Sequence, residues 1–600
     1  MRIAAILLLG SVLLSPIGAQ TGKKITIIHT NDMHSRLTGY APELDYSPLT
    51  VNDDKTVGGF ARIATIINNE KKNNDGITLV LDAGDFLMGT LFQGLEPKTG
   101  FQLRLMKTMG YDVVCIGNHE FDFGPGKLAS IINSAASGGA IPPVLLSNVV
   151  FSDQDPADDE LSYLYSKNLL SQKLIITRGG IKFGFFSLMG VEADDNAAYA
   201  APVTFSKQIP AAKKFVKELQ DEGCEIIICL SHSGVSKGKS GEWSGEDVKL
   251  AEKVKGIDVI ISGHSHTRLD KSIVVNGIPI VQTGVYGQNV GKLTLTLNNG
   301  QVTVNDYNLI AVDDMIQGDP EIVSMIEVQK KVITTDILSP IGLDYDKPIA
   351  ESDFLLECNE QGDIAGSNLG PMVADAIHSY VNNHVSGGTQ VSVVAVGVIR
   401  DSIVPGFQSA PDIFRTMSMG IGKDNIPGYP LSRLYVTGHE LKGVLEIMYI
   451  AGQSTPGNYL YYAGIRVDFD PDRGLLKKIR KVSIVNADGS NQDVDLSKEN
   501  SNLYSIVANS YILEYVSIIK KLSKGLVKVV PKDGSGNIIM DMKTAILDFD
   551  QNCDGLQEGK EWLAIVEYLK AMKDINGNGV PDIDAKYKTV LKTFTVVKSK

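Results

Sequence analysis

Val113-Val114-Cys115-Ile116-Gly117-Asn118-His119-Glu120-Phe121-Asp122 is an apolar run that ends abruptly in polar groups. Its first four residues read as a buried strand. A strand that runs straight into Gly-Asn-His carries an amide and an imidazole, both able to bind metal, at its tip. Asp122 follows His119 by three residues, close enough to hold the ring. The same event recurs through the first half of the chain. Residues 25–29 lead into Asn31-Asp32-Met33-His34, and residues 78–81 into Asp82-Ala83-Gly84-Asp85. Residues 225–230 lead into Ser231-His232, and residues 259–261 into Gly263-His264-Ser265-His266. Helical patterns at 60–71, with Ile63, Ile66 and Ile67 on one face, and at 211–220 fall between the strands, which predicts α/β layering.

Six hundred residues exceed what one core organises, so two domains are expected. A net charge of −13 excludes a general nucleic-acid binder, which needs a basic face. At the N-terminus, Arg2, the apolar run 3–14 and Ile17-Gly18-Ala19 predict a secretory signal over residues 1–19. The run is short for a membrane anchor, and no cysteine follows it to accept lipid. No later stretch is long and apolar enough to span a membrane, so an exported, periplasmic or secreted chain is expected. The cysteines are Cys115, Cys224, Cys229, Cys358 and Cys553, an odd number. Cys224 and Cys229 either pair or remain buried thiols.

Taken singly, an Asp-x-His pair is most often solvated and His232 is an ordinary polar residue. His29, on the first strand, reads as a satisfied structural histidine. Yet five of nine histidines fall in the strand-end motifs, with glycine beside Asp85, Asn118 and His264. Loops at the carboxyl ends of neighbouring strands converge. Hard oxygens plus imidazoles suit two divalent transition-metal ions, zinc, manganese or similar, gripping one phosphate.

The set Asp32-Met33-His34, Gly84-Asp85, Gly117-Asn118-His119-Glu120, His232 and Gly263-His264-Ser265-His266 resembles the calcineurin-like metallophosphoesterases. Gly58-Gly59-Phe60-Ala61-Arg62 and the two-part layout narrow the resemblance to the secreted bacterial 5′-nucleotidase/UDP-sugar hydrolase family. It implies a four-layer αββα catalytic domain over 24–318, a connecting helix over 319–340 and an α/β substrate domain over 341–600. It also implies roles. Asp32, His34 and His266 would hold one metal; Asn118, His232 and His264 would hold the other; Asp85 would bridge. His119 would serve the leaving group, oriented by Asp122, and metal-activated water would attack phosphorus with no covalent enzyme intermediate.

In the second half, 369–381 and 438–451 read as helices and 391–396 as a strand running into Arg400. The resemblance makes Arg400 a substrate ligand and offers Tyr511 as a base-stacking ring, although Tyr511 reads equally as packing. Family features are missing: Ala395 to Arg400 lacks the usual Asn, and 420–427 shows no first stacking aromatic. Near the end, Asp550, Asn552, Asp554, the Leu556 carbonyl and Glu561 have the spacing of a calcium loop over 550–561. Asp574, Asn576, Asn578 and Asp582 begin a second over 574–585, with Ala585 where the last carboxylate belongs. Both also read as solvated acidic turns.

The expectation is an exported dimetal phosphohydrolase acting on phosphate monoesters, foremost 5′-nucleotides and also nucleotide diphosphate sugars or cyclic nucleotides. Its partner is a small phosphorylated substrate rather than a nucleic acid polymer. The alternatives are the same core acting on a non-nucleotide phosphoester, and a calcium-dependent surface binding protein with a vestigial metal site.

Overall fold

Strand β1 (Lys23–Thr30) sends Ile25 and Ile27 to one face and Ile28 to the other, as the two-residue period of a strand requires. β2 (Ile77–Asp82) divides Leu79 and Leu81 from Val80 in the same way. A strand buried on both faces needs a layer on each side. In the computed structural model, which describes residues 22–40, 46–197, 199–238, 240–358, 366–454, 456–514, 525, 527–550 and 556–597, both layers are present.

On one side lie helices α1 (Phe60–Asn73), α2 (Phe101–Met109) and α3 (Pro125–Gly138). On the other lies a second sheet. The first sheet also contains β3 (Val113–Cys115), β4 (Val144–Leu145) and β5 (Leu170–Ser171). The second contains β6 (Lys173–Arg178), β7 (Ile181–Met189), β8 (Ile226–His232), β9 (Val259–Ser262), β10 (Ile273–Val275) and β11 (Ile278–Val281). Adding β12 (Asn289–Asn298) and β13 (Gln301–Ala311), the sheet orders are β13-β12-β1-β2-β3-β4-β5 and β10-β11-β9-β8-β7-β6. Helices α4 (Gln208–Asp221) and α5 (Glu246–Lys253) pack against the second sheet. The layers are helix, sheet, sheet, helix. β1 to β5 run parallel, as do β7, β8 and β9, so the polar strand ends gather at one edge of the sandwich.

Two stretches depart from what their composition suggests. Residues 234–245 are rich in Ser, Gly and Lys, which favours a loop, yet they hold an antiparallel pair, Val235–Lys237 with Trp243–Gly245. Residues 152–160 are acidic, which favours a surface loop, yet they already enter the helix Asp159–Ser166, and Asp158 is buried.

Helix α6 (Pro320–Ile333) follows, with Asp319 accepting from the Glu321 and Ile322 amides and proline at its first position. The C-terminal half is built on the sheet β15-β17-β14-β16. Its strands are β14 (Val391–Ala395), β15 (Leu431–Thr437), β16 (Leu460–Ala463) and β17 (Leu503–Asn509). Helices α7 (Leu369–His384), α8 (Gly438–Ser454) and α9 (Glu561–Lys570) surround it. Cys115, Cys224 and Cys229 are free thiols, so 224 and 229 do not pair; Cys553 lies outside the described residues. Residues 1–19 also lie outside them. Among the described residues no helix is long and apolar enough to cross a membrane.

Candidate metal centre

All seven expected ligands meet where the two sheets join. Asp32, His34 and His266 present ligand atoms within 4.8 Å of one another, and so do Asp32, Asp85 and His232. Asn118 Oδ1 lies 3.1 Å from His232 Nε2 and 3.0 Å from His264 Nδ1. Asp85 Oδ2 stands between the two groups, 3.1 Å from His232 Nε2 and 4.0 Å from His34 Nε2. Its other oxygen accepts from the His119 amide at 2.9 Å.

The donor set identifies what the cluster can hold. His232 Nδ1 donates to the Ala83 carbonyl at 2.8 Å. In the neutral ring, Nε2 is therefore a lone pair, and it faces two oxygens. His34 repeats this: Nδ1 donates to the Met88 carbonyl at 2.8 Å, and Nε2 faces His266 Nε2 at 3.2 Å. Lone pairs converging in a dry site repel unless a cation lies between them, so the residues fit two divalent metals. Left to the protein's own charges, the cluster takes up a proton in place of a cation: burial opposes it, but Asp85 and Asp32 push His232 up to about 10. Burial, with the Asp85 charge adding to it against His232, lifts Asp32 to about 7. Burial alone would raise Asp85 too, but His232, His119 and His34 hold it well below the carboxylate range.

The backbone is bent to aim these groups. Asp32, His34, Asp85, His264 and His266 all have φ between 48° and 68°, the left-handed region. For non-glycine residues this costs on the order of 1–2 kcal/mol each, and such strain clusters at functional sites. The flanking glycines make room. A Cβ on Gly117 would sit 2.3 Å from Asp85 Oδ1, and Gly84, itself at φ 91°, would place one 2.8 Å from the Gly117 nitrogen.

Beside the cluster, His119 Nδ1 meets Asp122 Oδ2 at 2.8 Å. Burial lowers the affinity of His119 for a proton, but Asp122 and Asp85 outweigh it and the net shift is upward. Arg400 arrives from the other half of the chain, just after β14. Its carbonyl accepts from the Tyr286 hydroxyl at 3.0 Å, and its neighbour Asp401 pairs with Arg36 at 2.7 Å. Arg400, His119, His264 and His266 thus share one cavity.

Residue-by-residue reading missed three groups. Glu120, which follows His119 in the strand-tip motif, is fully buried. It accepts from the backbone amides of Asp85, Leu87 and Gly117, tying two strand tips together. Asn31 donates to Asp32 Oδ2 at 2.6 Å and fixes its rotamer. Tyr429, two positions past the 420–427 stretch, stacks on Tyr511 at 5.1 Å and 12°, with Tyr199 tilted against both. A base sandwiched between two rings needs about 7 Å, two contacts of ~3.5 Å, so Tyr429 and Tyr511 are closed on each other. His29 is buried as expected but not satisfied: it stacks on Tyr307, and neither ring nitrogen has a hydrogen-bond partner among the described residues.

Of the first calcium loop, Asn552 and Asp554 lie outside the described residues. Asp550 is exposed and Leu556 lies at the surface, while Glu561 points inward and accepts from Asn509 at 2.9 Å. The second loop is described throughout. Glu351, on the strand Ala350–Ser352, reaches this loop: its Oε2 accepts from Asn576 Nδ2 at 3.1 Å and from Asn578 Nδ2 at 2.7 Å.

Residues 25–268 match the calcineurin-like phosphoesterases, and residues 348–517 match the 5′-nucleotidase C-terminal domain. The chain belongs to the 5′-nucleotidase family of calcineurin-like phosphoesterases. It is a hydrolase of that family, with both of its domains present. It is 27% identical to a bovine 5′-nucleotidase over 77% of this chain and 78% of that one. It is 25% identical to a trifunctional nucleotide phosphoesterase of Bacillus subtilis over 81% of this chain, yet spans only 32% of that longer protein. Its fold is that of a 5′-nucleotidase precursor from Thermus thermophilus, with a TM-score of 0.68 at 22% identity over 96% of this chain and 100% of the other.

Proposed function

We propose that this family member is an exported, dimetal phosphomonoesterase, with 5′-nucleotides as the substrate class its relatives favour. The observation that carries the reading is Asp85 Oδ2 placed between the two imidazole groups, with the His119–Asp122 pair beside it. Asp32, His34 and His266 would hold one cation, Asn118, His232 and His264 would hold the other, and Asp85 would serve both. Divalent cations so held neutralise phosphate charge and acidify water. The chain's own groups do the rest. Arg400 binds the phosphoryl or ester oxygens with a fixed positive charge. Because Nδ1 of His119 is committed to Asp122, Nε2–H is the free end, and it delivers a proton to the leaving oxygen. Asp122 keeps the ring cationic and aimed.

The test is turnover by the purified protein with Mn²⁺ or Zn²⁺ on a panel of AMP, a cyclic nucleotide, a nucleotide sugar, a sugar phosphate and p-nitrophenyl phosphate. Metal-dependent release of phosphate from AMP is expected. Release from none of the panel would overturn the reading. The closed Tyr429–Tyr511 pair favours a second reading, the same chemistry on a non-nucleotide phosphoester, which p-nitrophenyl phosphate and the sugar phosphate report.

Calcium has a structural role in this reading, at residues 574–585 with Glu351 completing the ligands and at 550–561 with Glu561. Calcium at a hundred times its Kd is expected to add about 2.7 kcal/mol, a rise of ~5–10 °C in Tm for a domain of this size. Glu351→Gln and Glu561→Gln assign the rise to one loop or the other by differential scanning calorimetry. A melting curve indifferent to calcium removes both sites.

A further inference from the structure

The cavity that holds His119 and Arg400 does not stop at the metal centre. It is about 420 Å³ in all, and it continues into the C-terminal half between the sheet β15-β17-β14-β16 and helix α8. Every described residue that β14, β15, β17 and α8 contribute to its wall is apolar. Val393 faces it from β14, Val436 from β15 and Ile506 from β17. On α8 the wall is Leu441, Val444, Leu445 and Met448, the i, i+3, i+4, i+7 stripe that a helix ordinarily packs against its sheet. Protein interiors close such seams to crystal-like density, and voids wider than a water are few. Here the seam stays open and joins a catalytic centre. Large apolar volume with a few polar groups at one end is the form of a small-molecule site.

We propose that this cavity binds the hydrocarbon tail of a single-chain aliphatic phosphate monoester, an alkyl or isoprenyl phosphate, whose headgroup lies between Arg400 and the metal centre. The inference rests on the phosphomonoesterase reading and changes what the phosphate is attached to. A nucleoside fits the cavity poorly. Its base and ribose carry several donors and acceptors. Outside the metal centre the cavity's polar lining is Arg400, Glu192, Asn196, Asn458 and Tyr511, and the walls from the sheet and α8 add none, so groups turned toward those walls would be buried unpaired. The ring pair that would grip a base is closed on itself. A methylene chain asks for nothing but apolar contact.

The experiment is a binding series on the metal-loaded full chain with methyl-, ethyl-, hexyl- and dodecylphosphonate, which cannot be hydrolysed. Each methylene that enters the cavity is expected to lower Kd about three- to four-fold, on the order of a hundredfold between ethyl and hexyl. Met448→Trp fills the cavity from the helix side and Val393→Phe from the sheet side, so a misfolded variant does not decide the matter. Each is expected to reduce the hexyl advantage below tenfold while methylphosphonate binds within twofold of the parent. A flat series, or a chain-length gain that survives both fillings, overturns the proposal. Turnover of p-nitrophenyl phosphate, measured alongside, separates the two readings. A flat series in an active enzyme removes the tail site alone. A steep series in a protein that hydrolyses nothing removes the phosphohydrolase and leaves the tail site standing.

Discussion

His119→Ala is expected to lower kcat about 10²–10⁴-fold, the range for losing a positioned general acid, with the metal content of the protein unchanged. His119 lies outside both compact ligand groups. Its Nδ1 is spent on Asp122 at 2.8 Å, and its amide on Asp85 Oδ1 at 2.9 Å. Alanine keeps that amide, so the Asp85 carboxylate remains anchored. The substitution therefore removes the proton donor and leaves the cation cage. Metal analysis on the purified variant, beside its kcat, checks both halves. A leaving-group dependence sharpens the test. p-Nitrophenolate departs without a proton, so the defect is expected to shrink on p-nitrophenyl phosphate relative to AMP. Loss of metal together with activity would make His119 a ligand rather than a donor. Asp122→Asn tests the same chain one step back. The amide cannot hold the imidazolium as a carboxylate does, so a defect in kcat smaller than that of His119→Ala, in the same direction, is expected.

The convergence of the strand-end residues is legible in the chain because its logic is local. An apolar run specifies a strand, parallel neighbours bring their ends together, and the polar residue just beyond each run lands at the shared edge. What stayed hidden depends on contacts between distant segments or on backbone shape. No propensity announces that Asp32, His34, Asp85, His264 and His266 all take left-handed φ; the fold imposes it. Tyr429 meets Tyr511 only because β15 and β17 are paired, with Leu431 opposite Asn509. Glu351 reaches the 574–585 loop because its strand lies beside Asp582. The loop's own sequence shows Ala585 in the final position and gives no hint of a carboxylate reaching it from another strand. The 234–245 ribbon is hidden for a simpler reason: its Ser, Gly and Lys content does not favour a strand, and pairing overrides composition. The apolar cavity is the least legible feature. Val393, Val436, Leu445 and Met448 each read as ordinary core, and no sequence pattern distinguishes a filled seam from an open one.

Asp85→Asn is expected to empty or disorder both metal positions at once and to reduce activity on the order of 10³–10⁴-fold, several kcal/mol of lost cation chemistry. Asparagine is the informative replacement. It tolerates the left-handed φ of 54° found at Asp85, and its carbonyl can still accept the His119 amide. The backbone and the neighbouring loop therefore stay in place, and the change is confined to charge. What disappears is the one oxygen that faces both groups, 3.1 Å from His232 and 4.0 Å from His34. A ligand belonging to a single metal would act differently. His266→Ala removes a member of the Asp32–His34 group and is expected to drop occupancy from two ions per chain toward one. The two variants thus give different stoichiometries from the same measurement, metal ions per chain after gel filtration. If Asp85→Asn retained one full equivalent, Asp85 would be a terminal ligand; if it retained two, Asp85 would not be a ligand at all. Either result would separate the two imidazole groups into independent sites, and the case for one phosphate held between two cations would fail with it.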